Sequence, residues 1–220
     1  MLRNITAPYH PFESWIYDYA IAPTVADMAR RVPDRPISNL PQGGSLLDVG
    51  CGGGQILIEL ARERPDIRAT GLDLSSDQVR RARRRAVGLG ERVRFVEGSA
   101  IELPFDNGAF DGVMSVGSIK HWPDPAKGLA ECVRVLKPGG FLMIVEADRS
   151  CRLEDARSFV NSWRLPGLMR RNALMFFRTF VAGQAPDLSE ARSWMEKLGL
   201  AEFRVERIPS TPGLMMTGRK

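Results

Sequence analysis

The chain has 220 residues, 44% of them hydrophobic and 26% charged, with a formal net charge of +5. That length and mix suit one globular α/β domain spanning residues 1–220, with a small elaboration and enough apolar content for a proper core. Cys51, Cys132 and Cys151 lie apart without metal-type spacing, and no run approaches the roughly 18 apolar residues of a membrane span, which excludes a disulfide scaffold and a spanning protein and points to a soluble, cytoplasmic one.

Residues 1–44 carry all three tyrosines, Tyr9, Tyr17 and Tyr19, together with His10. Within them Glu13 to Arg31 predicts an amphipathic helix broken before Pro33. From Ser45 short apolar runs alternate with amphipathic stretches, the mark of βαβ units and a parallel sheet. The predicted strands are Ser45–Val49, Ala69–Asp73, Val93–Glu97, Phe110–Val116 and Gly140–Ala147, with helices over Gln55–Arg64, Ser76–Gly88 and Pro125–Val135. Ser75 or Ser76 can cap the second helix, because a side-chain oxygen satisfies one of its orphan N–H groups. Cys151 to Pro186 holds more arginine and large apolar residues than a crossover needs, so it predicts an inserted helical lid interrupted near Pro166-Gly167. Its inner face would line an apolar acceptor pocket, or Leu168 to Val181 would lie on a membrane surface. Asp187-Leu188-Ser189-Glu190 opens a helix ending at Gly199, and Ala201–Ile208 and Leu214–Thr217 close the chain as an antiparallel pair.

The stretch around which these elements are organised is Leu46-Leu47-Asp48-Val49-Gly50-Cys51-Gly52-Gly53-Gly54, a strand running into a glycine turn and then a helix. Its glycines let a ligand approach the backbone closely, and the free N–H groups of the helix favour a negatively charged ligand group, which makes a nucleotide-like cofactor the natural candidate. A dinucleotide fingerprint wants a third glycine where Gln55 stands. The order Asp48-x-Gly50-x-Gly52-x-Gly54 instead resembles motif I of the class I S-adenosylmethionine (SAM)-dependent methyltransferases. Further matches follow in order: Gly71-Leu72-Asp73-Leu74-Ser75, Phe95-Val96-Glu97-Gly98-Ser99-Ala100, Leu103 to Asp111, and Trp122-Pro123-Asp124-Pro125 followed by Glu131 to Gly140. Together they span Leu46 to Val145 and resemble the ubiquinone/menaquinone-biosynthesis and small-molecule branch of that family.

The resemblance implies a Rossmann-like seven-stranded sheet of order 3-2-1-4-5-7-6, with SAM as cofactor. It implies a helical cap over 1–44, a SAM-binding core over 45–150, a lid over 151–186 and a closing helix and strands over 187–220. Cofactor contacts are expected from Asp48, Gly50, Cys51, Gly52, Gly54, Asp73, Leu74, Ser99, Ala100, Ile101 and Ser115. Asp73 would hold the ribose hydroxyls. Asp48 would orient the loop or the methionine ammonium, or serve only as a strand-end carboxylate. Ser99 stands where relatives carry aspartate for the adenine amino group. Leu74 and Ile101 would sandwich the ring or belong to the core. Tyr17, Trp122, Trp163 and Phe176 are candidates for the acceptor pocket. His121, or His10 carried on a closing cap, is the candidate general base; the other reading of His121 is an edge residue packed beside Trp122.

The run Arg80-Arg81-Ala82-Arg83-Arg84-Arg85 would spread over more than half of a helix circumference without interleaved aromatics, which disfavours nucleic acid. The expected reaction is methyl transfer from SAM to a small, fairly apolar acceptor on oxygen, nitrogen or carbon, with a homodimer admitted as the assembly. RNA or protein methylation, and a non-catalytic SAM-binding role, stand as alternatives.

Overall fold

The computed structural model describes residues 21–32, 36–165 and 167–220, the side chains of 167–170 excepted. Seven strands form one sheet in the order β3-β2-β1-β4-β5-β7-β6. They are β1 Ser45–Val49, β2 Arg68–Asp73, β3 Val93–Glu97, β4 Phe110–Val116, β5 Leu136–Ala147, β6 Glu202–Arg207 and β7 Gly213–Arg219. β1 pairs in parallel with β2 and β4, β2 with β3 and β4 with β5, whereas β7 runs antiparallel to both β5 and β6. This is the sheet that the motif order implies.

Helices α1 Ala22–Arg30, α2 Gln55–Glu63, α3 Ser76–Arg85, α4 Pro125–Val135, α5 Leu153–Asn161, α6 Gly167–Phe176 and α7 Leu188–Glu196 accompany the strands. Two expected caps form: the Ser75 hydroxyl accepts from the Gln78 N–H, and the Asp187 carboxylate accepts from the Ser189 and Glu190 N–H groups. Helix α3 stops short of the expected Gly88, which takes a positive φ of 93° that would break a right-handed helix. Strand β5 begins earlier than Gly140, because Leu136 already pairs with Phe110 ahead of a register shift.

Two apolar layers sandwich the sheet. Leu57, Ile58, Ala61, Val79 and Ala82 of α2 and α3 pack with Leu46 and Met114, while Leu129, Cys132 and Val133 of α4 pack with Leu47, Val113 and Leu142 on the other side. Strand β1 is buried along its whole length, covered on both faces, and its C-terminal end emerges at the middle of the sheet. That position puts the glycine loop at the switch point between β1 and β4, where such sheets bind ligands.

The segment between β5 and α7 is helical, as expected, with α6 running into a π-helical turn at Phe177–Val181. Its apolar side chains form a third cluster of their own: Val160, Trp163, Ala173, Phe177 and Ala182 close on Ala147. The Trp163 and Phe177 rings meet edge-on with centroids 6.0 Å apart. Among the described residues this segment contributes no side chain to the central cleft, which corrects the expected pocket-lining role of its inner face.

Candidate cofactor site

A cleft lies beyond the C-terminal ends of β1, β2 and β4. Gly50, Gly52 and Gly53 of the loop, Gln55 and Ile56 of α2, Asp73, Leu74, Ser99 and Ala100, and Val116 to Ser118 with His121 to Pro123 line it, and Ala22 and Val25 of α1 close one side.

The loop is anchored from both neighbours. The Gly50 and Cys51 N–H groups donate to the Leu72 carbonyl at 2.7 and 3.0 Å. Asp73 takes the Gly52 N–H on one carboxylate oxygen at 2.8 Å and the Ser75 N–H on the other at 2.9 Å. Each oxygen has a second lone pair, so the carboxylate can hold the loop and still accept from a ligand hydroxyl. From α3, Arg85 donates to the Gly53 carbonyl at 2.8 Å.

The glycines serve different ends. Gly50 has φ 76°, and a Cβ there would stand 2.5 Å from the Ser118 Cβ, so glycine lets the loop touch the end of β4. A Cβ on Gly52 would meet nothing within 4 Å, which leaves its backbone open to a ligand. Gly54 does not line the cleft: its would-be Cβ lies 2.7 Å from the Phe95 ring, so its role is packing of α2 on β3. The helix behind the loop has no side-chain cap, and its first two residues, Gln55 and Ile56, line the cleft.

Asp48, 3% exposed, lies on β1 behind the loop, and one of its carboxylate oxygens has no hydrogen-bond partner. Burial, and secondarily the neighbouring Asp73, push its pKa up to about 8. A carboxyl whose folded pKa exceeds its unfolded value adds stability fully present below about pH 4 and lost as pH rises through about 8. Ligand-free protein should therefore unfold at falling temperature from pH 6 to about pH 8.5. Asp48→Asn should flatten that slope and melt higher than wild type at the alkaline end; parallel slopes in thermal scans would refute it.

On the opposite wall the Trp122 indole N–H donates to the Ser118 hydroxyl at 3.0 Å, and the ring lies over Gly128 of α4, where a Cβ would stand 2.3 Å away. His121 lines the cleft beside it, on a short 3₁₀ turn whose backbone N–H donates to the Ser118 carbonyl. That turn is braced from below. Lys120 donates through Nζ to Glu146 at 3.0 Å and to the Gly117 carbonyl at 2.6 Å, and Glu146 is 1% exposed.

Not every expected contact reaches the cleft. Leu74, 49% exposed, offers it an apolar platform, and Ser99, Ala100 and Cys51 line it, the Cys51 thiol being held protonated by burial. Ile101 does not line it, though its N–H donates to the Ser99 hydroxyl at 3.4 Å. Ser115 is fully buried inside the sheet, because strand alternation turns the neighbouring Val116 toward the cleft instead. Trp163 is buried in the insertion cluster and Phe176 is exposed on its surface, so neither approaches the cleft. His10 and Tyr17 lie outside the described residues.

The stretch Ser115 to Trp122, expected at the ligand end of the sheet, supplies Ser118 to the cleft and Lys120 beneath it, and two residues escaped the sequence reading: Gln78 and Glu146. Gln78, 4% exposed, lines the cleft with its carbonyl oxygen unpartnered, ready to accept from a ligand donor. Only Glu146 left a signal, as an acid within the apolar run Phe141 to Ala147 that needs a buried partner. The arginine run on α3 is largely engaged at home: Arg80 and Arg81 pair with Asp77, Arg83 with the Phe95 carbonyl and Arg85 with the loop.

Residues 47–144 match the family model described as a methyltransferase domain. Over 202 residues, 91% of this chain and 54% of the relative, the sequence is 29% identical to 2-methyl-6-phytyl-1,4-hydroquinone methyltransferase 1, chloroplastic, of Oryza sativa. Over 125 residues, 55% of this chain and 46% of the relative, it is 38% identical to 27-O-demethylrifamycin SV methyltransferase of Amycolatopsis mediterranei. The chain thus spans about half the length of these curated relatives. The crystal structure of a SAM-dependent methyltransferase from Aquifex aeolicus, 17% identical, superposes with a TM-score of 0.71 over 96% of this chain and 99% of that one, a likeness of fold.

Proposed function

From the match of residues 47–144 to the methyltransferase-domain model, we infer that this chain belongs to the class I SAM-dependent methyltransferases and transfers the methyl group of SAM to a small, fairly apolar acceptor. The observation that carries the reading is electrostatic. Among the described residues the cleft is lined by Asp73 and by no lysine or arginine, with the unpartnered carboxyl of Asp48 just behind it. A pyrophosphate would meet the Asp73 carboxylate there, whereas the ammonium and sulfonium groups of SAM meet compensating charge and, by their own charge, favour ionisation of Asp48 as well.

SAM supplies an electrophilic methyl on a positively charged sulfur, open to in-line displacement. The protein's part is orientation, which can be worth roughly 7–11 kcal/mol. In this reading the Asp73 carboxylate, at the end of β2 beside the loop, accepts the ribose hydroxyls. Leu74 flanks the adenine, and the Ser99 hydroxyl and Ala100 N–H meet its polar edge. Asp48 faces the cationic end through the loop. The apolar wall of Ala22, Val25, Val116 and Trp122 fits an aromatic or polyketide-like acceptor, and the two curated relatives above are named for a hydroquinone and a rifamycin.

Calorimetry is the first test: SAM and S-adenosylhomocysteine should bind and NAD and NADP should not, and the reverse pattern overturns the reading. A labelled-methyl screen over phenols, amines, carboxylates and activated carbons then identifies the acceptor. With one in hand, His121→Ala is expected to slow the saturated rate tenfold or less, since His121 belongs to a wall whose main service is positioning. A true general base would cost roughly 10²–10⁴, so a loss beyond a hundredfold with unchanged cofactor affinity would assign it that role instead.

A further inference from the structure

The helical insertion carries a surface that the cleft does not use. From Ala156 to Pro186 the sequence has five arginines, at 157, 164, 170, 171 and 178, and no aspartate or glutamate. The same segment buries Ala173 and Phe177, one turn apart, and leaves Met175 65%, Phe176 46% and Phe180 46% exposed. Phe176 and Phe180 merge into one apolar ridge, their ring centroids 5.5 Å apart at 34°. Beside it Arg171, Met175 and Arg178 fall at i, i+4 and i+7, a single stripe of cation, thioether and cation. Arg171 and Arg178 are both exposed, and neither forms an ion pair among the described residues.

Single exposed apolar side chains are ordinary, but three together between unpaired arginines form a patch with a definite complement. We propose that this face of α6 and its π-helical turn docks the protein peripherally on an anionic lipid surface. The phenylalanines and Met175 enter the boundary between headgroups and acyl chains, and the arginines take lipid phosphates through their forked N–H groups. Docking leaves the chain on the membrane and not through it, since no described helix is long and apolar enough to cross. A second copy fits this face poorly, because a self-complementary interface would set the arginine stripe against itself. RNA fits poorly as well, because the two rings pack on each other as one ridge and do not form separate platforms for successive bases.

Flotation of the protein with vesicles of phosphatidylcholine alone, or with phosphatidylglycerol added, tests the proposal. Binding is expected only with phosphatidylglycerol, and should weaken as salt rises. The pair Phe176→Ser and Phe180→Ser should lower partitioning about tenfold or more, and the pair Arg171→Ser and Arg178→Ser about 30-fold. S-adenosylhomocysteine affinity should stay unchanged in both, which shows the variants folded and keeps this result separate from the methyl-transfer reading. Absence of vesicle binding, equal binding to neutral and anionic vesicles, or variants that float like wild type would overturn the proposal. So would a dimer abolished by the phenylalanine pair, or oligoribonucleotide binding abolished by the arginine pair.

Discussion

Gly50→Ala is expected to weaken SAM and S-adenosylhomocysteine binding by about a hundredfold or more. Gly50 has φ 76°, a left-handed conformation that costs an alanine roughly 1–2 kcal/mol. The larger penalty is steric, since the new methyl would stand 1.8 Å from the Ser118 hydroxyl oxygen and 2.5 Å from the Ser118 Cβ. Rotation of the hydroxyl relieves the first contact but not the second, so the loop has to move away from β4. A displacement of about 1 Å in groups that position a reactant can cost on the order of 10² in rate. Gly52→Ala is the control: φ is 52°, but a Cβ meets nothing within 4 Å. It should lose cofactor by blocking the ligand's approach, with little disturbance elsewhere. Only Gly50→Ala should also shift tryptophan emission, through the Ser118 to Trp122 hydrogen bond. Equal emission spectra and near wild-type affinity for Gly50→Ala would contradict the assignment.

Asp73→Ala should cost about 2–3 kcal/mol of cofactor affinity, roughly a factor of 30–150. The substitution removes the proposed ribose contact, and it also strips the Gly52 and Ser75 N–H groups of their acceptor. The loss is therefore partly one of preorganisation. Asp73→Asn separates the two parts, because an amide keeps one acceptor oxygen but opposes an N–H with its own. It should retain the fold and recover only part of the affinity. Calorimetry with S-adenosylhomocysteine reads both variants, and an unchanged dissociation constant in folded Asp73→Ala would remove Asp73 from the site.

Much of the architecture was legible from residues alone because it rests on short-range rules. The alternation of apolar runs and amphipathic stretches marks the parallel strands and their helices. Gly50, Gly52 and Gly54 mark the turn, and Ser75 and Asp187 mark two helix starts through caps that need only three or four neighbouring residues. Asp73 could be located for the same reason, as a carboxylate ending the strand next to the loop. The sheet order came with the motif resemblance, which carries topology that local patterns do not.

What only the tertiary structure decided involves partners far apart in the chain, or the choice between two faces. Strand period sends alternate residues to opposite sides, but the sides cannot be named until the helices are placed; hence Val116 reaches the cleft while Ser115 is buried in the sheet. Gly54 looks like its neighbouring glycines, yet its need for glycine comes from Phe95 across the sheet. The aromatic residues of the insertion could have lined a pocket, and instead Trp163, Phe159 and Phe177 pack on one another, where Trp163 and Phe177 are removed from water almost completely. The arginines of α3 likewise read as a charged run until Asp77, the Phe95 carbonyl and the Gly53 carbonyl arrive to receive them. The sequence by itself thus determined the strand–loop–helix unit and its acid, because those depend on backbone sterics and nearby hydrogen bonds. Which side chains share the cleft depends on burial, and burial exists only after the chain has folded.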